Sequence, residues 1–264
     1  MSGDPHVLTT ASVTNLRDVG GRPTTDGGWV ATGLAYRCAE LASPDVADDP
    51  DLARLAVRTV VDLRTAAERA ARPDVVPAGA RLVALDVLAD LPGAQAAGIP
   101  EALSDPSRLV AALGGADLAA QMVATYRQLV LAGSARRAYA AFVRLAIDAE
   151  RTPLLFHCTA GKDRTGWAAT ILLLAAGVDE DGVLDEFLAV NPAVRATFEP
   201  LLVQAEAAGI DRALLAPLLE VRAEYLQAAL AAVRDEFGSF DAYLADGLGL
   251  SPLETSTLRA TLRA

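Results

Sequence analysis

Short apolar runs alternate along this chain with longer stretches of helical spacing, and the change of rhythm locates its elements. Val57–Leu63, rich in valine, and Leu154–Phe156 are too short for helices and read as buried strands. Leu34–Arg37, after the Gly27-Gly28 turn, and Leu82–Val87 are further strand candidates. Apolar spacing near 3.6 predicts helices over Asp117–Leu131, Ser134–Glu150, Thr165–Ala176, Asp179–Ala189 and Pro217–Phe237, with a short one at Asp51–Ala56. Asn191-Pro192 breaks the helical run, and the chain beyond it is again mostly helical. Asp90–Pro106 carries Pro92, Gly93, Gly98, Pro100 and Pro106, a loop long enough for a functional flap. Strands mixed with helices predict an open α/β sheet flanked by helices, with a site at its carboxyl edge. The expected organisation is a single domain over 1–264, with 194–248 as a helical layer or lid.

Composition narrows the chemistry. The 264 residues carry a net charge of −11, which argues against nucleic acid or an anionic membrane as a partner. The longest mainly apolar run, Trp167–Val178, is too short to span a bilayer, so no stable membrane insertion is expected. His6 and His157 are the two histidines, too few for the usual metal-dependent hydrolases, so no metal and no cofactor are expected. Two cysteines make no disulfide framework. Met1–Thr10 lacks the apolar stretch of a signal peptide, which points to the cytoplasm and leaves export by a signal-less route open.

Candidate chemistry concentrates in His157-Cys158-Thr159-Ala160-Gly161-Lys162-Asp163-Arg164-Thr165-Gly166, between the Leu154–Phe156 strand and a helix. A cysteine and an arginine five residues apart on such a loop suit a phosphate monoester. Backbone N–H groups at a helix start favour an anion, and Arg164 can add two parallel hydrogen bonds to phosphate oxygens. Cys158 then lies beneath the phosphorus as a nucleophile, since cations and helix N-termini stabilise a thiolate. The loop residues Thr159, Ala160, Gly161, Lys162 and Thr165 would line the bound phosphate, Thr165 with a hydroxyl that can serve the departing sulfur. Gly161 permits torsions closed to other residues, and Gly166 permits close packing. The competing reading is a structural strand–turn–helix with a buried cysteine. A nucleotide-binding P-loop is excluded, because Phe156 stands where that motif needs glycine.

The site as a whole resembles the signature of cysteine-dependent protein-tyrosine phosphatases. Ala160-Gly161-Lys162-Asp163-Arg164-Thr165-Gly166 is similar to the bacterial, mycobacterial-type protein-tyrosine phosphatase B group. Asn15-Leu16-Arg17-Asp18-Val19-Gly20-Gly21, Tyr36-Arg37-Cys38, Val61-Asp62-Leu63-Arg64, Val221–Leu226 and Phe237–Phe240 extend the likeness over nearly the whole chain. The resemblance implies hydrolysis of phosphotyrosine, with phosphoserine, phosphothreonine or phosphoinositides as further substrates and inorganic phosphate as product. It also points to Asp163 as the acid that protonates the leaving oxygen, against the alternative of a structural carboxylate. Asp86 and Asp90, on either side of Val87-Leu88-Ala89, are the substitute acids.

Other residues carry two readings each. Lys162, the only lysine, is either a rim cation for additional phosphates or a solvated surface group. Arg17 is expected to border the pocket, His157 to orient the cysteine, and Asp62 with Arg64 to buttress the loop as an ion pair. Cys38 is a small buried hydrophobe or a resolving thiol that traps oxidised Cys158. Rival functions are a phosphoinositide phosphatase of the same mechanism, a rhodanese-like enzyme, and a catalytically silent phosphosite-binding module. The last two fit poorly, as the loop keeps both cysteine and arginine beside Lys-Asp-Arg-Thr-Gly.

Overall fold

The computed structural model describes residues 4–91, 117–207 and 209–264 of the chain. Five strands, β1 (Arg17–Asp18), β2 (Ala35–Cys38), β3 (Thr59–Asp62), β4 (Arg81–Ala84) and β5 (Leu154–His157), form one sheet. Their order is β1-β2-β5-β3-β4, parallel throughout except for the antiparallel β1 edge. Every residue of β2, β3 and β5 is buried, as expected of parallel strands covered on both faces. Side chains alternate between the faces. Leu154 and Phe156 pack with Ala35 and Val61 in the larger core, whereas Leu155 packs with Tyr36, Cys38 and Val60 in a smaller one. The outermost strand β4 is largely exposed.

Among the described residues, the α-helices of four residues or more are α1 (Pro50–Ala53), α2 (Ala66–Ala71), α3 (Leu118–Leu131), α4 (Gly133–Ala146), α5 (Asp163–Ala176), α6 (Glu180–Leu188), α7 (Asn191–Ala207), α8 (Arg212–Leu219), α9 (Ala223–Phe237) and α10 (Pro252–Thr261). Only Leu174 of α5 escapes full burial, so this helix is the hub of the core. It ends at Gly177, whose φ of 96° suits glycine alone. Leu202, Leu215, Leu218 and Tyr225 from the C-terminal helices join the same core as Phe156 and Trp167. Among the described residues, no helix is long and apolar enough to cross a membrane.

Several expected boundaries move. The helix expected to reach Glu150 stops at Ala146, and the chain turns through hydrogen bonds from Arg151 and Thr152 to the Asp148 carbonyl. The single helix expected over Pro217–Phe237 is two, broken where the Asn191 side chain exchanges hydrogen bonds of 2.9 Å with both Val221 N–H and C=O. Helix α2, unexpected from periodicity, is started by a reciprocal cap between Thr65 and Glu68. The flap expected over Asp90–Pro106 lies, from position 92 onward, outside the described residues.

Candidate active site

Strand β5 delivers Cys158 to the sheet's carboxyl edge, and α5 begins at Asp163, so the loop between them spans five residues. No side chain caps the start of α5. Backbone N–H groups from Thr159 to Thr165 find no acceptor among the described residues, until Gly166 N–H closes on Lys162 C=O at 2.6 Å. A run of unpaired donors at a helix N-terminus, with a buried cysteine at its base, is an anion cradle. Gly161 has φ 66°, and a Cβ there would lie 2.2 Å from the Cys38 carbonyl oxygen. A Cβ on Gly166 would lie 3.1 Å from the Phe187 ring, so glycine is what lets α6 pack this closely behind the loop. The Thr165 hydroxyl is buried with no hydrogen-bond partner among the described residues.

Arg164 is buried and held end-on by Glu68, with Nη1–Oε2 at 2.7 Å and Nη2–Oε1 at 2.8 Å. This contact uses one N–H of each terminal nitrogen, and Nη2 also reaches the Thr159 hydroxyl at 3.5 Å, which leaves Nε–H and a second Nη1–H without an acceptor among the described residues. Thr159 donates its hydroxyl to Glu68, and Thr65 adds its N–H at 2.8 Å and hydroxyl at 2.9 Å. Burial opposes the Glu68 charge, but these donors outweigh it and hold its pKa at about 2. Burial likewise works against the Arg164 charge. Hydrogen bonds to Glu68 and the charge of Cys158 reverse that, raising its pKa above the usual arginine value.

Asp163 receives the Tyr126 hydroxyl on Oδ1 at 2.8 Å, and its Oδ2 lies 3.4 Å from Lys162 Nζ. Burial first, then the neighbouring Asp163, push the Tyr126 hydroxyl well above its ordinary range and keep it a donor. Lys162 is only 5% exposed, so the surface-lysine reading fails. Its ammonium donates to the carbonyls of Leu218 and Glu220, the latter at 3.3 Å, at the C-terminal end of α8. The rim-cation reading loses support for the same reason, since those carbonyls occupy the charge.

Beneath the loop, His157 lies with Nδ1 3.0 Å from the Cys158 carbonyl and Nε2 3.1 Å from Asp74. Arg64 binds both oxygens of Asp62, at 3.0 and 2.9 Å, and reaches Asp74 at 2.7 Å. Asp62, Asp74 and His157 are close enough to share a cation, yet Arg64 and the imidazole already engage their carboxylate oxygens.

Three expected roles lose support, and Cys38 keeps the first of its two readings. Arg17 is buried and pairs with Asp4, so its charge is committed to the N-terminal segment. Asp86 accepts from Ala66 N–H at 3.1 Å and Leu88 N–H at 3.0 Å, and so supports α2. Asp90 is exposed and paired with Arg137 at 2.9 Å. Cys38 belongs to the core on one face of the sheet and Cys158 to the core on the other. Burial, followed by the charges of Asp74 and Cys158, pushes the Cys38 thiol well up, in keeping with the buried-hydrophobe reading.

Glu68, Asp74 and Tyr126 enter the site without having been expected there. The Thr65-x-x-Glu68 spacing signals a helix start and could have drawn attention to Glu68. Tyr126 looks like one more apolar position of α3 until its hydroxyl is seen to meet Asp163.

The family model described as the tyrosine phosphatase family matches residues 8–264. Over 254 residues the chain is 36% identical to a Cupriavidus necator protein that bears the name of a tyrosine-protein phosphatase, covering 92% of this chain and 84% of that protein. Over 271 residues it is 32% identical to the triple specificity protein phosphatase PtpB of Mycobacterium tuberculosis, covering 94% of this chain and 96% of the relative. The crystal structure of P. aeruginosa TpbA aligns with 73% of this chain and 91% of its own at 21% identity, with a TM-score of 0.32, too loose a superposition to carry the fold.

Proposed function

The chain belongs to the tyrosine phosphatase family, and on that premise we propose that it hydrolyses phosphotyrosine through a phosphocysteine on Cys158. The observation that carries this reading is the run of unpaired amides closing over a buried cysteine, with Arg164 presenting free N–H groups beside it. The Cys158 thiolate attacks phosphorus as the bond to the tyrosine oxygen breaks. Loop amides and the side edge of Arg164 meet the charge on the three equatorial oxygens. Asp163 gives its proton to the leaving oxygen, and its carboxylate then takes one from the water that attacks phosphorus. Thr165 donates to the sulfur as it departs, a role open to a buried hydroxyl with no other partner. Inorganic phosphate leaves, and no cofactor enters the sequence of steps.

Phosphoserine and phosphothreonine belong to the same reading. The name of the M. tuberculosis relative, a triple specificity phosphatase, supports a range beyond phosphotyrosine. Phosphoinositides are a weaker second reading, because Lys162 is held by Leu218 and Glu220 instead of facing an open rim. We read 1–264 as one domain with 194–248 as its helical layer, supported by the shared core.

A panel of phosphotyrosine, phosphoserine and phosphothreonine peptides and a soluble inositol polyphosphate, assayed with EDTA, tests the assignment. Wild type should turn over the phosphotyrosine peptide fastest, and Cys158→Ser should bind it without turnover. Hydrolysis that survives in Cys158→Ser, or that EDTA abolishes in wild type, would overturn the mechanism.

A further inference from the structure

A loop that turns every N–H inward turns every C=O outward, and a buried carbonyl needs a donor. Five successive loop carbonyls have one. Cys158 C=O meets His157 Nδ1 at 3.0 Å, and Thr159 C=O meets Glu40 N–H at 3.1 Å. Ala160 and Gly161 C=O both accept from Asn15 Nδ2, each at 3.2 Å. Arg37 Nη2 adds bonds to Gly161 C=O at 2.8 Å and Lys162 C=O at 3.4 Å. Glu40 and Gly166 contribute backbone N–H groups, and His157 is the cysteine's own neighbour. Asn15 and Arg37 are the side chains brought in from distant parts of the chain.

Asn15 shows two further marks of this task. Its φ is 56°, in the left-handed region that a side-chain-bearing residue enters at a cost, though asparagine tolerates it best. Its Oδ1 is buried with no partner among the described residues, so the amide is present for its donor end. Two carbonyls facing one nitrogen leave no role there for an acceptor. Arg37 is wholly buried, and Glu186 on α6 balances its charge through two contacts of 2.8 Å. The N-terminal Asn-Leu-Arg-Asp segment thus reaches the site through Asn15, while the neighbouring Arg17 pairs with Asp4.

We infer that Asn15 is a positioning residue of the phosphate loop: with Arg37 it draws the Ala160 and Gly161 carbonyls outward and so aims the loop amides at the phosphate. The inference rests on the reading of that loop as the phosphate site. Asn15→Gly separates positioning from folding, because glycine relaxes the positive φ while deleting the donor. Asn15→Asp is a second variant, equal in size, that puts an acceptor against two acceptors.

The probe is orthovanadate, with its dissociation constant measured well below every melting point, beside kcat/KM on a phosphotyrosine peptide. Asn15→Gly should melt within a few degrees of wild type, bind vanadate about tenfold more weakly and lose kcat/KM at least as much. Its Cys158 should alkylate more slowly than that of wild type at neutral pH, since fewer amides face the sulfur. Asn15→Asp should lose at least as much affinity. Wild-type vanadate affinity in either variant, whatever its melting point, would overturn the inference. Failure of wild type itself to bind vanadate would instead strike the phosphatase reading beneath it.

Discussion

Glu68 holds the Cys158–Arg164 loop from outside the motif, and its carboxylate occupies one end of Arg164, leaving the side edge that the proposed mechanism gives to the phosphate. The guanidinium is thereby fixed before substrate arrives, which is the condition for electrostatic stabilisation without reorganisation. Its pKa of about 2 ties this carboxylate to pH. An unfolded glutamate titrates near ~4.3. A folded-state pKa below that value contributes stability that is complete above ~4.3 and vanishes as pH falls through about 2. Glu68→Gln should therefore melt below wild type at neutral pH, with the gap closing as pH is lowered from ~4.3 toward 2. A gap that stays constant over that window would show that Glu68 carries no charge-dependent role. At this scale the sequence displays Cys158, Asp163, Arg164 and Thr165, because they are close in the chain and chemically paired. Glu68, Tyr126 and Asn15 are hidden, because only folding brings positions so far apart in sequence to the loop.

Between elements, the informative contact joins the loop to α8. Lys162 donates to carbonyls at the negative end of that helix, so the motif's cation fastens the helical layer to the site. Lys162→Met keeps the aliphatic stem and removes the ammonium. Hydrogen exchange of Leu214–Leu219 amides should then quicken by roughly tenfold, as one net hydrogen bond to a charged group is lost. Unchanged protection would mean that α8 is held by its apolar face alone. Strands and long helices are legible from periodicity, since β3, β5 and α5 are buried by their own composition. The break before α9 is not, because propensity favours helix there and a distant partner, Asn191, supplies the competing hydrogen bonds. Helix α2 is too short for a periodic signal and is betrayed only by its cap.

Across the whole molecule, the sheet order does the assembling. Placing β5 between β2 and β3 sets His157 beside Cys38 on one side and Asp62 on the other. Loops leaving these three parallel strands converge on one edge, which brings Glu40, Arg64 and Glu68 around the cysteine loop. Two cores on opposite faces fix the register, because a one-residue slip of β5 would exchange Leu155 for Leu154 and Phe156. The same alternation separates Cys38 from Cys158, the proposed nucleophile. On the proposed mechanism, this architecture serves a sulfur that becomes transiently phosphorylated. Acid quenching during turnover of a 32P-labelled phosphotyrosine peptide, followed by digestion and mass spectrometry, reads that event directly. The label should appear on the peptide bearing Cys158 and be absent from Cys158→Ser. Turnover with no label on that peptide, undiminished after Cys158 is alkylated, would contradict the account.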